Sequence, residues 1–334
     1  MPKLKAGIIG LGVGNSHIEG FNSHPNCSVV ALCDLADSKI AEAKKKYSQM
    51  RITKDAEEIL SDPEIGVVSI TSYDNFHYEQ VVKALEHGKH VFVEKPLCLY
   101  QKEANHIRSI LKNRSNLKLS SNLILRKSPR FIRLKKMIEE GVFGNLFFVE
   151  GDYLYGRLHK LTDDWRGQID FYSVVYGGAV HIVDLLLWLT GEPITEVMGY
   201  GNQIASHGSQ FRFNDFVVAI LKFQSGLIGK VSANFGSVRP HFHGLTINGT
   251  QATFVNDWPA AKLFKSKNQD DQPELIEDPY PGTRKGDLIY NFVDSILSGS
   301  SLEVSMDDVF KAMSVCFAIE ESVKTQKPVK VRYI

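Results

Sequence analysis

Three groups of residues have types and spacings suited to chemistry. The first is Gly10-Leu11-Gly12-Val13-Gly14-Asn15, which follows a short apolar run and opens into a helical pattern. A dinucleotide pyrophosphate is bound by backbone N–H groups at a helix N-terminus, and glycine lets that backbone approach without a Cβ in the way. The spacing departs from GxGxxG: the third glycine would fall at Asn15, but the sequence sets Gly14 one residue early, which predicts a shortened turn. On glycines alone, a tight strand-to-helix turn without a ligand reads the same. Asp34 ends the second strand pattern, where a carboxylate accepts hydrogen bonds from the ribose 2′-OH of an adenosine. No Arg follows it to relieve a 2′-phosphate, so the position favours NAD over NADP. A helix N-cap role for residues 34–37 is the alternative.

The second group is His90-Val91-Phe92-Val93-Glu94-Lys95-Pro96-Leu97, a strand pattern that delivers Glu, Lys and Pro at its carboxyl end, where open parallel sheets bind ligands. A surface ion pair after an edge strand is disfavoured, because Pro96 fixes the chain there. The third is Gly177-Gly178-Ala179-Val180-His181-Ile182-Val183-Asp184, leading into Leu185-Leu186-Leu187-Trp188-Leu189. His181 and Asp184 lie one turn apart on one helix face. Imidazole suits removal of a hydroxyl proton near neutrality, although on the residues alone a structural His–Asp contact is the preferred reading. His241-Phe242-His243 puts two imidazoles on one strand face, where they could line a pocket. No further metal ligands accompany them, so no metal is assigned.

These groups need elements to hold them. Residues 4–121 alternate strand candidates (Ala6–Ile9, Ser28–Leu32, Val67–Ile70, His90–Val93, Leu117–Ser120) with helical patterns (Ser38–Tyr47, Tyr78–His87, Lys102–Asn113). That alternation predicts α/β architecture with a doubly wound parallel, Rossmann-type sheet. From about Gly144 the pattern changes to successive strands, including Leu146–Tyr155, Phe216–Phe223, Leu227–Phe235 and Leu245–Ile247. They predict a C-terminal α+β domain with a large, mostly antiparallel open sheet and helices on one face. Helical patterns at Leu288–Leu297 and Met306–Thr325 close it, and Lys265 to Gly286, rich in Asp, Gln, Pro and Lys, reads as a long surface loop. Two domains are expected, residues 1–122 and 123–334.

Composition narrows the function classes. Lys and Arg total 39 against 38 Asp and Glu, so no net field draws in nucleic acid or an anionic membrane. The four cysteines have neither CxxC nor metal-ligand spacing, the opening apolar stretch is too short for a signal or a membrane span, and a cytoplasmic location is expected.

Taken together, the GxG turn, Glu94-Lys95-Pro96 after Ala84-Leu85-Glu86-His87-Gly88-Lys89-His90-Val91, and the turn Gly141-Val142-Phe143-Gly144 resemble the Gfo/Idh/MocA family of dehydrogenases nearly end to end. The resemblance implies an NAD(P)-binding domain, then a substrate domain whose open sheet often forms the subunit interface of a homodimer or homotetramer. It implies an NAD-dependent dehydrogenase or ketoreductase acting on a sugar, nucleotide-linked sugar or cyclitol. By position, Gly10, Gly12, Val13, Gly14, Asn15, Asp34, Ser72, His77, Glu94 and Lys95 would bind cofactor. Lys95 would also fix the substrate hydroxyl and stabilise a developing alkoxide, since a desolvated Lys can have its pKa drawn toward the working pH. His181 would be the base, with Arg126, Tyr155 and Asp184 also contacting substrate; for Arg126 a domain-stapling salt bridge is an equal alternative. Geometrically, Lys95 and His181 must reach the same face of a nicotinamide ring.

The sequence departs from the family at two places. In Thr71-Ser72-Tyr73-Asp74-Asn75-Phe76-His77, Tyr73 replaces the usual Pro, and only Ser72 and His77 match. Gly177 stands where the family commonly has Asp, four residues before the His, so Asp170, Tyr172, Tyr176 or Asp184 is left to supply a compensating polar group, unless Lys95 and His181 suffice. That gap and the irregular glycine turn motivate a rival reading, a non-catalytic dinucleotide-binding regulator; within the enzyme class, the alternative is a glycoside-processing enzyme that oxidises its sugar transiently and returns the hydride.

Overall fold

The computed structural model describes residues 3–334. The chain divides into two compact units, residues 1–124 with 283–310 and 334, and residues 125–282 with 311–333.

The first unit is built on six strands, β1 (Leu4–Ile9), β2 (Cys27–Cys33), β3 (Arg51–Thr53), β4 (Val67–Ile70), β5 (His90–Val93) and β6 (Leu119–Ser121), in the order β3-β2-β1-β4-β5-β6. Every neighbouring pair is parallel. Strands buried on both faces read as continuous apolar runs rather than alternating ones, and all four residues of β4 are buried. The helix Gly14–Asn22 turns Gly14, His17, Ile18 and Phe21 to the core, the i, i+3, i+4, i+7 spacing of one helix face. The winding reverses between β1 and β4, and at such a point the connections diverge to leave a crevice beyond the strands' carboxyl ends.

Residues 283–310 belong to this unit although they come late in the chain. Phe292, in the helix Ile289–Ser298, packs its ring 5.4 Å from that of Phe92 in β5. Ser120 Oγ donates to the Val304 carbonyl at 2.8 Å, and Lys118 Nζ donates to Ser295 Oγ at 2.7 Å.

The second unit carries nine strands: β7 (Leu146–Leu154), β8 (Ile194–Asn202), β9 (Phe216–Phe223), β10 (Ile228–Asn234), β11 (Phe242–Gly249), β12 (Thr253–Asn256), β13 (Ala261–Phe264), β14 (Glu274–Ile276) and β15 (Val329–Lys330). Their order is β14-β13-β12-β11-β7-β10-β9-β8-β15. All pairs are antiparallel except β7 with β10. The helix Val180–Thr190 lies against this sheet where Gly151 of β7 leaves room: a Cβ at 151 would overlap Ile182. The stretch Lys265–Gly286, expected as a surface loop, is partly strand, because β14 pairs with β13 and extends the sheet. Its charged side chains are those of an edge strand: Glu274 pairs with Lys265 at 2.8 Å and with Arg133 at 3.3 Å.

Candidate functional site

In the first unit the glycine turn, Asp34, Thr71-Ser72, Glu94-Lys95-Pro96 and Asn122 all follow the carboxyl ends of strands in one sheet. The three glycines have separate duties. Gly10 has φ +92°, and a Cβ on it would overlap the Thr71 carbonyl oxygen and lie 2.8 Å from the Ser72 nitrogen. Around Gly12 a Cβ would meet nothing within 4 Å, so its backbone is open to a ligand. Gly14 opens the helix and packs tightly, with Ile8 Cγ2 and Thr71 Oγ1 at 2.9 and 2.8 Å from where its Cβ would be. The third glycine's usual task, close helix–strand packing, is therefore done one residue early. Asn15 turns inward instead and donates from Nδ2 to the Leu11 carbonyl at 2.6 Å.

Asp34 ties this turn to β2. Its Oδ2 accepts from the Leu11 N–H at 2.7 Å and its Oδ1 from the Ala36 N–H at 2.8 Å. Each carboxylate oxygen has a second lone pair, which leaves acceptor capacity for a ribose hydroxyl. An open glycine backbone at a helix start, with an anchored acidic residue beyond the next strand, fits a dinucleotide.

His77 is fully buried, with Nδ1 2.6 Å from the Pro96 carbonyl oxygen and Nε2 3.1 Å from that of Ser72. It clamps the β4 loop to the β5 loop, so it shapes the cofactor-side loops from beneath. Ser72 Oγ donates to Gln80 Oε1 at 2.7 Å.

Glu94 sits in a buried polar cluster that includes a residue sequence reasoning missed. Its Oε1 is 3.4 Å from His17 Nε2 and accepts from Asn122 Nδ2 at 2.7 Å. His17, with no exposed surface, reaches Ser69 Oγ at 2.8 Å through Nδ1, and Asn122 Nδ2 also donates to the Lys285 carbonyl at 3.0 Å. Burial works to raise the Glu94 carboxyl. The hydrogen bond and charge of His17, the charge of Lys95 and the Asn122 amide outweigh it and hold Glu94 well below the usual carboxylate range. Glu94 is thus a fixed anion next to Lys95 in the chain. The signal available in sequence was a histidine on the core-facing stripe of the first helix.

In the second unit, Arg126 and Asp184 meet. Arg126 donates from Nε to Asp184 Oδ2 at 2.9 Å and from Nη2 to Oδ1 at 2.6 Å, with both residues buried. This bidentate pair joins two residues of the same unit, so it is not the domain-stapling bridge of the alternative reading. His181, at the start of the helix Val180–Thr190, stacks on Tyr153 at 6.0 Å between centroids. Around Tyr153 gather Tyr155 at 5.7 Å, His241 at 5.0 Å and His243 at 5.4 Å. The two imidazoles expected on one strand face lie 4.8 Å apart. His243 accepts or donates at Nδ1 with Tyr280 Oη, 2.7 Å away, and burial, reinforced by the charge of His241, pushes its pKa down to about 3. Burial drives the Tyr153 hydroxyl well above its ordinary value, so it stays protonated. Aromatic faces edged by the protonated Tyr153 hydroxyl and the neutral His243 imidazole can hold a ring that alternates C–H and O–H. A cavity of about 430 Å³ also opens in this unit, lined by Thr162, Asp163, Gly167, Gln168, Gly208, Ser209 and Gln210, none of them a candidate residue. Among the described residues no helix is long and apolar enough to cross a membrane.

Residues 4–122 match the model of an oxidoreductase family with an NAD-binding Rossmann fold, and residues 131–255 match the GFO/IDH/MocA C-terminal domain. A myo-inositol 2-dehydrogenase of Thermotoga maritima is 24% identical over 99% of both chains. An inositol 2-dehydrogenase/D-chiro-inositol 3-dehydrogenase of Lactiplantibacillus plantarum is 27% identical over 67% of this chain and 63% of that enzyme. A levoglucosan dehydrogenase solved in complex with NADH superimposes with a TM-score of 0.85 at 23% identity, over 99% of this chain and all of that one, a likeness of fold.

Proposed function

Starting from the fact that this chain belongs to the Gfo/Idh/MocA family of oxidoreductases, we propose that it oxidises a ring secondary alcohol of a cyclitol or sugar, or reduces the matching ketone. The observation that carries the reading is the shared strand edge of the first unit, which holds an open glycine backbone, an anchored Asp34 and the Glu94-Lys95-Pro96 segment together. NAD bound there supplies the hydride acceptor.

The protein's own groups do the rest. Backbone N–H groups of residues 12–14 receive the pyrophosphate, and Asp34 receives the ribose hydroxyls. Lys95 holds the reacting oxygen and offsets negative charge as its proton leaves. His181 takes that proton, or returns it in the reductive direction. The aromatic wall of Tyr153 and Tyr155 excludes water from the ring face of the substrate.

The likeness to inositol dehydrogenases supports a polyol rather than a charged substrate. Tyr200, Ile220 and Ile228 are exposed on one face of the second sheet, and we assign that face to contact between copies of the chain. The test of function is the appearance of NADH absorbance when purified protein and NAD meet myo-inositol, scyllo-inositol, levoglucosan or free sugars. Turnover with at least one of them, faster with NAD than with NADP, is expected. Tight NADH binding with no turnover on any polyol would favour a regulator instead.

A further inference from the structure

The helical run that carries His181 has Ser173 as its cap. The Ser173 carbonyl accepts from the Gly177 N–H at 2.8 Å, and its Oγ accepts from the N–H groups of Val175 at 3.0 Å and Tyr176 at 3.2 Å. Those are the second and third residues of the run, the positions an N-cap serine serves. A hydroxyl has one proton and two lone pairs. The proton goes to Glu320 Oε1, so the lone pairs are left turned toward the two N–H groups.

Glu320 lies on the helix Met306–Thr325, whose residues from Lys311 onward share the second unit with Ser173. Phe317, three positions earlier and on the same helix face, meets the Tyr176 ring edge-on at 5.7 Å. Two contacts from one face thus grip the start of the run. Burial raises the Glu320 carboxyl against the Ser173 bond that lowers it, which brings it nearer the neutral form that glutamine copies.

The capped segment is a π-helical turn, Val175–Ala179, that passes directly into the helix Val180–Thr190. Such turns are rare and recur at functional sites. A π turn spans one residue more than an α turn, and one residue is about 100° of helix rotation, so where the turn begins fixes the direction of each later side chain. The turn packs against two rings: a Cβ on Gly177 would overlap the Tyr172 hydroxyl, and one on Gly178 would overlap the Tyr153 ring. Tyr153 is also the ring on which His181 stacks.

We infer that Ser173 and Glu320 are positioning residues for His181: Glu320 orients the serine cap, and the cap fixes the π turn that lays the imidazole on Tyr153. The catalytic consequence rests on the role proposed above for His181 as the base.

The ring C–H signals of His181 in proton NMR carry the ring current of Tyr153, a readout that a loss of stability alone does not move. In Ser173→Ala and in Glu320→Ala these signals are expected to shift toward their positions in an unstacked imidazole. On the best polyol substrate kcat should fall about tenfold, with KM and NADH affinity within about twofold of wild type. Glu320→Gln keeps an acceptor oxygen and should restore both the signals and kcat. Because the two residues act through one bond, Ser173→Ala/Glu320→Ala should lose no more than Ser173→Ala alone. Variants with a lowered melting temperature but wild-type His181 signals and kcat overturn the inference, as does a Glu320→Gln protein no better than Glu320→Ala. Should Ser173→Ala fail to fold, the comparison of Glu320→Ala with Glu320→Gln decides alone. Wild type inactive on every polyol overturns the proposed function, while the His181 signals still test the placement.

Discussion

Asp34 and Leu11 are joined across 23 positions by a 2.7 Å hydrogen bond from the Leu11 N–H to the Asp34 carboxylate. On the proposed reading, the residue that selects the ribose also braces the turn that receives the pyrophosphate. Replacing Asp34 with Ala should weaken NAD binding by about 1.5–3 kcal/mol, the scale of a lost charge-assisted hydrogen bond. It should weaken NADP less, because like-charge repulsion of the 2′-phosphate is relieved as well. Titrating both cofactors against wild type and variant checks this, and an unchanged NAD-to-NADP affinity ratio would refute it.

Arg126 and Asp184 should behave as a structural pair. Removing either partner alone leaves an uncompensated buried charge, which costs about 3–5 kcal/mol. The double variant Arg126→Met/Asp184→Leu should recover most of that loss in chemical denaturation. A pair that instead contacts substrate would show raised KM in Arg126→Lys at nearly unchanged stability.

The second unit should lose stability in acid through His243. Unfolded, this imidazole titrates at its ordinary 6.5; folded, at about 3. Above pH 6.5 neither state binds the proton and the contribution is complete. As the pH falls from 6.5 toward 3, the unfolded chain takes up a proton that the folded one excludes, and stability declines across that window. His243→Gln should flatten this part of the melting-temperature profile, and an unaltered slope would contradict the assignment.

Much of this was readable in the sequence because its signals are local. The alternation of β-branched runs and helical patterns marks the first sheet, and Gly10 and Gly12 fall where a turn and an open backbone are needed. What was missed depends on distant partners. Residues 283–310 return to the first unit through contacts such as Phe92 with Phe292, which no window of sequence contains. Strand β8 carries Gly199 and Gly201, which blur its alternation, and β14 is a short charged edge. His17 looked like any core-facing histidine until Glu94, 77 positions on, stood beside it. Tyr172 was weighed as a stand-in for the absent Asp, but only folding brings its hydroxyl over Gly177.

The central claim of the proposed function is that Lys95 serves the hydride transfer, and Lys95→Met tests it most directly. The account predicts that this variant binds NAD within about threefold of wild type, while polyol oxidation falls on the order of 10²–10⁴-fold. Turnover by Lys95→Met equal to that of wild type would contradict it.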